Sequence, residues 1–206
     1  MTTHDPTQAT LPAAIDAEIR ALVERNPGQG SAAEYRRIWS VLRARAPTAA
    51  LIFGVGRDSR LWLDANAGGE TVFVEHERAW IAETRRQLPQ ARIVEVRYDT
   101  RARWWRLHLL RPRRLWMDDL PAALRATPWG VIFVDSPQGY RGHTPGRMKS
   151  IYSAAVMAKR TGRNGHTDVL VHDCDRRIER VCADRFLGAE NLAGEVDSLR
   201  HYRCGG

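Results

Sequence analysis

The sequence predicts an α/β fold built on a doubly wound, mostly parallel sheet, and three observations carry that prediction. Ala49 to Val55 is a continuous apolar run, the pattern of a strand covered on both faces, and it runs into the glycine pair Gly54 and Gly56. A second apolar run, Thr71 to Val74, ends in the carboxylate of Glu75. Strand-like and helix-like segments then alternate along the rest of the sequence, as in consecutive βαβ units. A glycine pair after the first strand lets the backbone turn sharply and approach a ligand closely. An acid at the tip of the second strand can accept hydrogen bonds from both ribose hydroxyls of a nucleoside cofactor.

Taken in order, residues 1–12 are polar and contain prolines, the composition of a mobile arm. Pro12 to Arg25 carries Ile15, Ile19, Leu22 and Val23 at helical spacing and is closed by Asn26, Pro27 and Gly28. Ser31 with Glu34 is a capping box that opens a helix to about Arg45, with Tyr35, Ile38, Val41 and Leu42 turned inward. Pro47 marks the turn into the first strand. Arg57 to Ser59 begins a helix carrying Leu61, Trp62 and Leu63, which Gly68 and Gly69 close. Arg78 to Leu88 reads as a helix with Trp80, Ile81 and Thr84 on one side, and Ala91 to Tyr98 as the third strand. Leu120 to Leu124 suits one helical turn, and Trp129 to Val134 is a fourth strand ending at Asp135. Arg147 to Arg160 has helical periodicity through Met148, Ile151, Tyr152, Ala155, Val156 and Ala158. Asp168 to Val171 is a fifth strand with His172, Asp173 and Asp175 at its tip; Arg176 to Phe186 is helical, and Glu195 to Cys204 supplies the final strands. No repeat or second linker interrupts this order, so residues 1–30 are expected to form a partly mobile arm and 31–206 one domain.

Composition bounds the function. A chain of 206 residues with 43% hydrophobic and 27% charged content suits one soluble domain with a sizeable core. No apolar run approaches the roughly 20 residues that span a bilayer, and the first residues lack the order of a secretory signal. The expectation is a cytoplasmic protein with no membrane span. Cys174, Cys182 and Cys204 are odd in number and lack metal-type spacing, which fits a reducing compartment. The net charge of +8 comes mostly from arginine and favours an anionic partner: nucleic acid, an acidic glycan or a phosphorylated ligand.

In open α/β sheets, ligands bind beyond the carboxyl ends of the strands. Here those ends carry Gly54, Gly56 and Asp58, then Glu75, Asp99, Asp135, and the group His172, Asp173 and Asp175. The glycine turn lacks the Lys-Ser/Thr of a phosphate loop, and Arg57 onwards lacks the third small residue of a nicotinamide site. The remaining nucleoside cofactor of this layout is S-adenosylmethionine.

The motifs LIFGVGRDSRLW (51–62), GETVFVEHERAWI (69–81), WGVIFVDSPQGY (129–140), PGRMKSIYSAA (145–155) and TDVLVHDCDRRIE (167–179) occur here in fixed order, followed by Glu190-Asn191-Leu192. Together they resemble the plant glucuronoxylan 4-O-methyltransferases and their irregular-xylem relatives in polysaccharide biosynthesis. The resemblance implies a Rossmann-like class I S-adenosylmethionine-dependent methyltransferase fold and transfer of methyl to the 4-hydroxyl of glucuronic acid in a glycan such as glucuronoxylan. It implies that Gly54, Gly56, Asp58 and Ser59 form the cofactor loop and that Glu75 holds the ribose; Phe53, Asp99 and Asp135, at the strand ends, are further expected to touch the cofactor. Asp135, His172 and Asp173 are expected to line the reaction centre. Plant members look Golgi-anchored, whereas this sequence shows no anchor.

A sugar hydroxyl becomes a nucleophile once its proton leaves, either to an acid or imidazole within reach or under the pull of a divalent metal. Asp173 or His172 is the expected base, and Asp135, His172 and Asp173 could instead hold a metal. Arg147 is the first candidate to grip the acceptor's carboxylate, with Tyr140, Arg141 and Arg176 beside it. The Trp104-Trp105 pair among the arginines of 101–114 reads three ways: as the core side of an amphipathic connection, as a platform for sugar rings, or as a single-stranded nucleic-acid surface. Two other functions therefore stand beside glycan methylation: an RNA- or small-acceptor methyltransferase, and a non-catalytic accessory protein of polysaccharide biosynthesis.

Overall fold

A computed structural model describes residues 11–159 and 165–205. Residues 1–10 of the expected arm, and Arg160 at the end of the helix expected from Arg147, lie outside the described residues. The elements run α1 (Ala13–Arg25), α2 (Ala32–Arg45), β1 (Ala49–Phe53), α3 (Ser59–Ala65), β2 (Glu70–Glu75), α4 (Arg78–Gln87) and β3 (Arg92–Glu95). They continue with α5 (Trp105–Leu110), α6 (Ala122–Ala126), β4 (Val131–Val134), α7 (Met148–Ala158), β5 (Thr167–Val171), α8 (Arg177–Ala183), β6 (Leu192–Val196) and β7 (Leu199–Cys204).

The sheet order is β3-β2-β1-β4-β5-β7-β6. All neighbours are parallel except β7, which is antiparallel to β5 and to β6. Its reversal follows from the two-residue connection at Asp197 and Ser198, where Asp197 takes φ +50°, because a hairpin can only join antiparallel strands. The continuous apolar runs are explained by burial on both faces. On β1, Leu51 and Phe53 enter one core with Trp129, Met148 and Ile151, while Ala50 and Ile52 enter the other with Ile38, Leu42 and Trp62. The second core is roofed by α1, α2 and α3. There Ile19 and Leu22 of α1 are buried.

The capping box forms as its spacing predicts: Ser31 Oγ accepts the Glu34 N–H (3.2 Å), and Glu34 Oε2 accepts the Ser31 N–H (2.7 Å). Two elements differ from expectation. β3 is shorter than Ala91 to Tyr98; as an edge strand it has only β2 to pair with, and the ladder ends once the Val96 N–H has bonded Glu75 O (2.9 Å). The stretch 101–114 folds as two short 3-10 turns (Ala102–Trp104, Pro112–Leu115) around α5. It buries Leu109 and Leu115 but leaves Trp104, Leu107 and Leu110 exposed. The core-side reading of the Trp104-Trp105 pair therefore holds for Trp105, which packs partly buried against the first core, and fails for Trp104.

Candidate functional site

β1, β2, β4 and β5 deliver their carboxyl ends to one edge of the sheet, and a cavity of about 580 Å3 lies beyond it. That volume is within the range of small-ligand sites. Gly54, Gly56, Asp58, Glu75, Asp135, Tyr140, Arg147, His172, Asp173 and Arg176 all line it. Gly54 takes φ +119°, and a Cβ there would meet the Ser136 Cβ at 3.2 Å, so only glycine lets the β1 and β4 tips come this close.

Four expected site residues do not face the cavity. Phe53 is fully buried in the core beneath it, because its alternation on β1 points it to the opposite side from Ile52. Ser59 is fully buried too; its Oγ accepts the Gly56 N–H (2.9 Å), so it shapes the loop rather than touching a ligand. Asp99 lies past the early end of β3 and pairs outside with Lys149 Nζ of α7 (2.8 Å). Arg141 sits on the exposed loop with its guanidinium 5.6 Å from the Tyr140 ring centroid.

At the glycine-loop side, burial alone would raise the Glu75 carboxyl. The His76 ring (2.7 Å) and the backbone amides of Glu77, His76 and Val55 hold it below the usual range. Asp58 goes the other way: burial and the charge of Asp135 push it up to about 7. Burial is the larger cause; the second, the Asp135 carboxylate, places negative charge beside the glycine loop.

At the β4 and β5 tips the polar side chains are bonded in series. His172 Nδ1 lies 2.7 Å from Asp135 Oδ1, and His172 Nε2 lies 3.3 Å from Glu34 Oε2. Although burial opposes it, the two carboxylates push His172 up to about 10. This shift favours the imidazolium, which donates to both carboxylates, and makes Asp173 the better-suited of the two expected bases. Asp173 has φ +62°, a conformation that costs free energy for a residue with a side chain and that clusters at functional sites. Its Oδ2 accepts from Arg147 Nη2 (2.5 Å) and Arg176 Nη1 (2.7 Å).

Arg147, the first candidate for the acceptor's carboxylate, lines the cavity. Its side chain is buried, its Nη2 also reaches Asp135 Oδ1 (3.0 Å), and its Nε donates to Pro137 O (3.4 Å). Nη2 ties the two strand tips together, while the buried Nη1 has no hydrogen-bond partner and is left for a ligand in the cavity that Arg147 lines. Arg176 is partly exposed and lines the cavity, and it keeps donors that Asp173 does not use.

Asp135, His172 and Asp173 offer one ligand atom each within 4.8 Å of one another, a donor set suited in type to a divalent cation. An ion held there would displace Arg147 Nη2, which already bridges both carboxylates.

Sequence reasoning missed Glu34, whose capping role was visible but whose contacts with Ser198 N (2.8 Å), Ser198 Oγ (2.6 Å) and His172 are not local. It also missed His76, whose ring joins Glu75 and packs edge-on against Tyr98 at 5.3 Å. Gln29, Tyr35 and Trp80 complete the wall.

The family described as IRX15/IRX15L/GXM matches residues 33–114 and 108–202, including the arginine-rich stretch that the quoted motifs leave out. The chain belongs to this family. Among Arabidopsis thaliana members, Glucuronoxylan 4-O-methyltransferase 1 is 36% identical over 79% of this chain and 63% of its own length. Protein IRX15-LIKE is 38% identical over 82% and 60%, and Arabinogalactan O-methyltransferase 1 is 32% identical over 84% and 66%. The chain thus spans about three-fifths of the length of the first two family members. The fold is that of class I S-adenosylmethionine methyltransferases. The O-methyltransferase TomG from Streptomyces achromogenes, solved with SAM, aligns with a TM-score of 0.54 at 17% identity over 97% of this chain and 92% of that one. The SAH-bound Podospora anserina methyltransferase PaMTH1 gives 0.54 at 13% identity over 95% and 89%. Among the described residues of this family member, no helix is long and apolar enough to cross a membrane.

Proposed function

We propose that this IRX15/IRX15L/GXM family member transfers a methyl group from S-adenosylmethionine to a hydroxyl of a uronate-bearing glycan, with the 4-hydroxyl of glucuronic acid as the expected acceptor. The observation that carries the reading is the Asp135–His172–Asp173 group beside the glycine loop in one cavity. The cofactor, when bound, supplies an already activated methyl group, so the protein's task is alignment and removal of one proton. The Gly54–Gly56 backbone allows close approach, Glu75 accepts from the ribose hydroxyls, and Asp58 and Asp135 supply the negative potential that a cation needs. Asp173 receives the hydroxyl's proton through Oδ1, while its Oδ2 is held by the two guanidiniums. His172, as imidazolium, orients Asp135. Arg176 and the unpartnered Nη1 of Arg147, with Tyr140 at the mouth, recognise the uronate.

A labelled-methyl assay against glucuronoxylan, arabinogalactan, free glucuronic acid and RNA tests the assignment. Asp173→Asn is expected to lower kcat at least about a hundredfold while cofactor affinity, read by titration, stays within about twofold. Full turnover in that variant would remove Asp173 from the mechanism. The clustered ligand atoms favour a second reading in which Asp135, His172 and Asp173 hold a divalent ion that lowers the hydroxyl's pKa. Loss of activity with chelator, restored by metal, selects it. Failure to bind S-adenosylmethionine at all would favour an accessory role.

A further inference from the structure

The 3-10 turn at Ala102–Trp104 is stitched to the loop at the cavity mouth. The Ala102 N–H donates to Thr144 O (2.8 Å), the Arg103 N–H donates to Gly142 O (2.9 Å), and a Cβ on Gly142 would touch Arg103 Cβ at 3.5 Å. The same loop carries Gln138 and Tyr140 into the cavity wall. Each side of this seam presents an aromatic ring with a guanidinium beside it. Trp104 is 48% exposed with the Arg103 guanidinium 5.3 Å from its centroid, and Tyr140 is 59% exposed with Arg141 at 5.6 Å. Beyond the seam the arginines of 101–114 are exposed, and none of them forms an ion pair with a carboxylate among the described residues. Unpaired guanidiniums in such number repel one another and are offset by an anionic partner.

We propose that the 101–114 segment and the 138–144 loop form an outer track for a polyanionic glycan chain running out of the cavity, so that the acceptor is a polymer read over several sugar units. This deepens the acceptor assignment above and rests on it. The apolar ring faces of sugars lie on Trp104 and Tyr140, and carboxylates on neighbouring units meet Arg103 and Arg141, whose planar forks grip them bidentately. The alternation of ring and cation across the seam matches a chain of uronate-bearing sugars. A lipid surface fits less well, because α5 is only six residues long and offers a small area to insert.

The test compares wild type with Arg103→Ala/Trp104→Ala, and separately with Arg141→Glu on the other side of the seam. Binding is measured to polygalacturonate, neutral xylan, single-stranded RNA and anionic vesicles, and KM on glucuronoxylan is measured alongside. A retained affinity for S-adenosylmethionine shows that each variant is folded. The expected result is polygalacturonate bound at least about tenfold tighter than neutral xylan by wild type, with that preference lost in either variant and KM on glucuronoxylan raised about tenfold. Unchanged KM and unchanged polygalacturonate binding in both variants would overturn the track while leaving glycan methylation standing. Loss of polygalacturonate binding in the variants, with no methylation of any glycan by wild type, would keep the track and overturn the acceptor assignment. Tighter binding to RNA or to vesicles than to polygalacturonate would also overturn the proposal.

Discussion

Asp58 and Asp135 compete for the same small allowance of negative charge at the glycine loop. With Asp58 raised to about 7 from 3.8, it is largely protonated at slightly acid pH. A ligand with positive charges binds the ionised form better, so its arrival releases a proton. S-adenosylmethionine affinity is therefore expected to tighten as pH rises through about 7 and to level above it, with Asp58→Asn flattening the profile. Titration calorimetry in buffers of different ionisation enthalpy measures both the affinity and the proton count. The same shift has a stability consequence of opposite sign. A raised carboxyl stabilises the fold only while protonated, so this contribution falls as pH climbs from about 4 through about 7.

The elements show which parts of this arrangement were legible beforehand. Glu34 ends α2's first turn, and its capping box depends on residues three apart, so sequence spacing was enough to find it. Replacing it by alanine is expected to cost about 3 kcal/mol in urea denaturation, because it also leaves the Ser198 donors and His172 without their buried partner. Ser31→Ala, which removes only the cap, is expected to cost about 1 kcal/mol. The acids at the strand tips were legible because each closes an apolar run, and a parallel sheet brings such ends to one edge. Asp99 broke that rule, since the length of an edge strand depends on its single neighbour and not on its own composition. The inward turn of Arg147 was illegible for a different reason. A sequence shows that a guanidinium stands before α7, but only the fold brings Asp135 and Asp173 to within 3.0 and 2.5 Å of it.

For the whole molecule, the two cores on either face of the sheet place the N-terminal helix in an unexpected position. α1 buries Ile19 and Leu22 in the second core, and the turn after it contributes Asn26, Pro27 and Gln29 to the cavity wall. We propose that residues 13–30 work as part of the domain rather than as a detachable arm. Deleting residues 1–30 is expected to weaken S-adenosylmethionine binding at least about tenfold, whereas deleting 1–10 leaves it within about twofold, as direct titration would show.

Glu34 is joined to Ser198, so a side chain made early is pinned by a turn made late. A ribosome threading this chain outward would have released β1 and β2 long before Ser198 appeared, and until then Glu34 lacks the partner that fixes it beside His172. Competence for chemistry should consequently switch on when the β6–β7 hairpin docks, rather than grow gradually as strands are added.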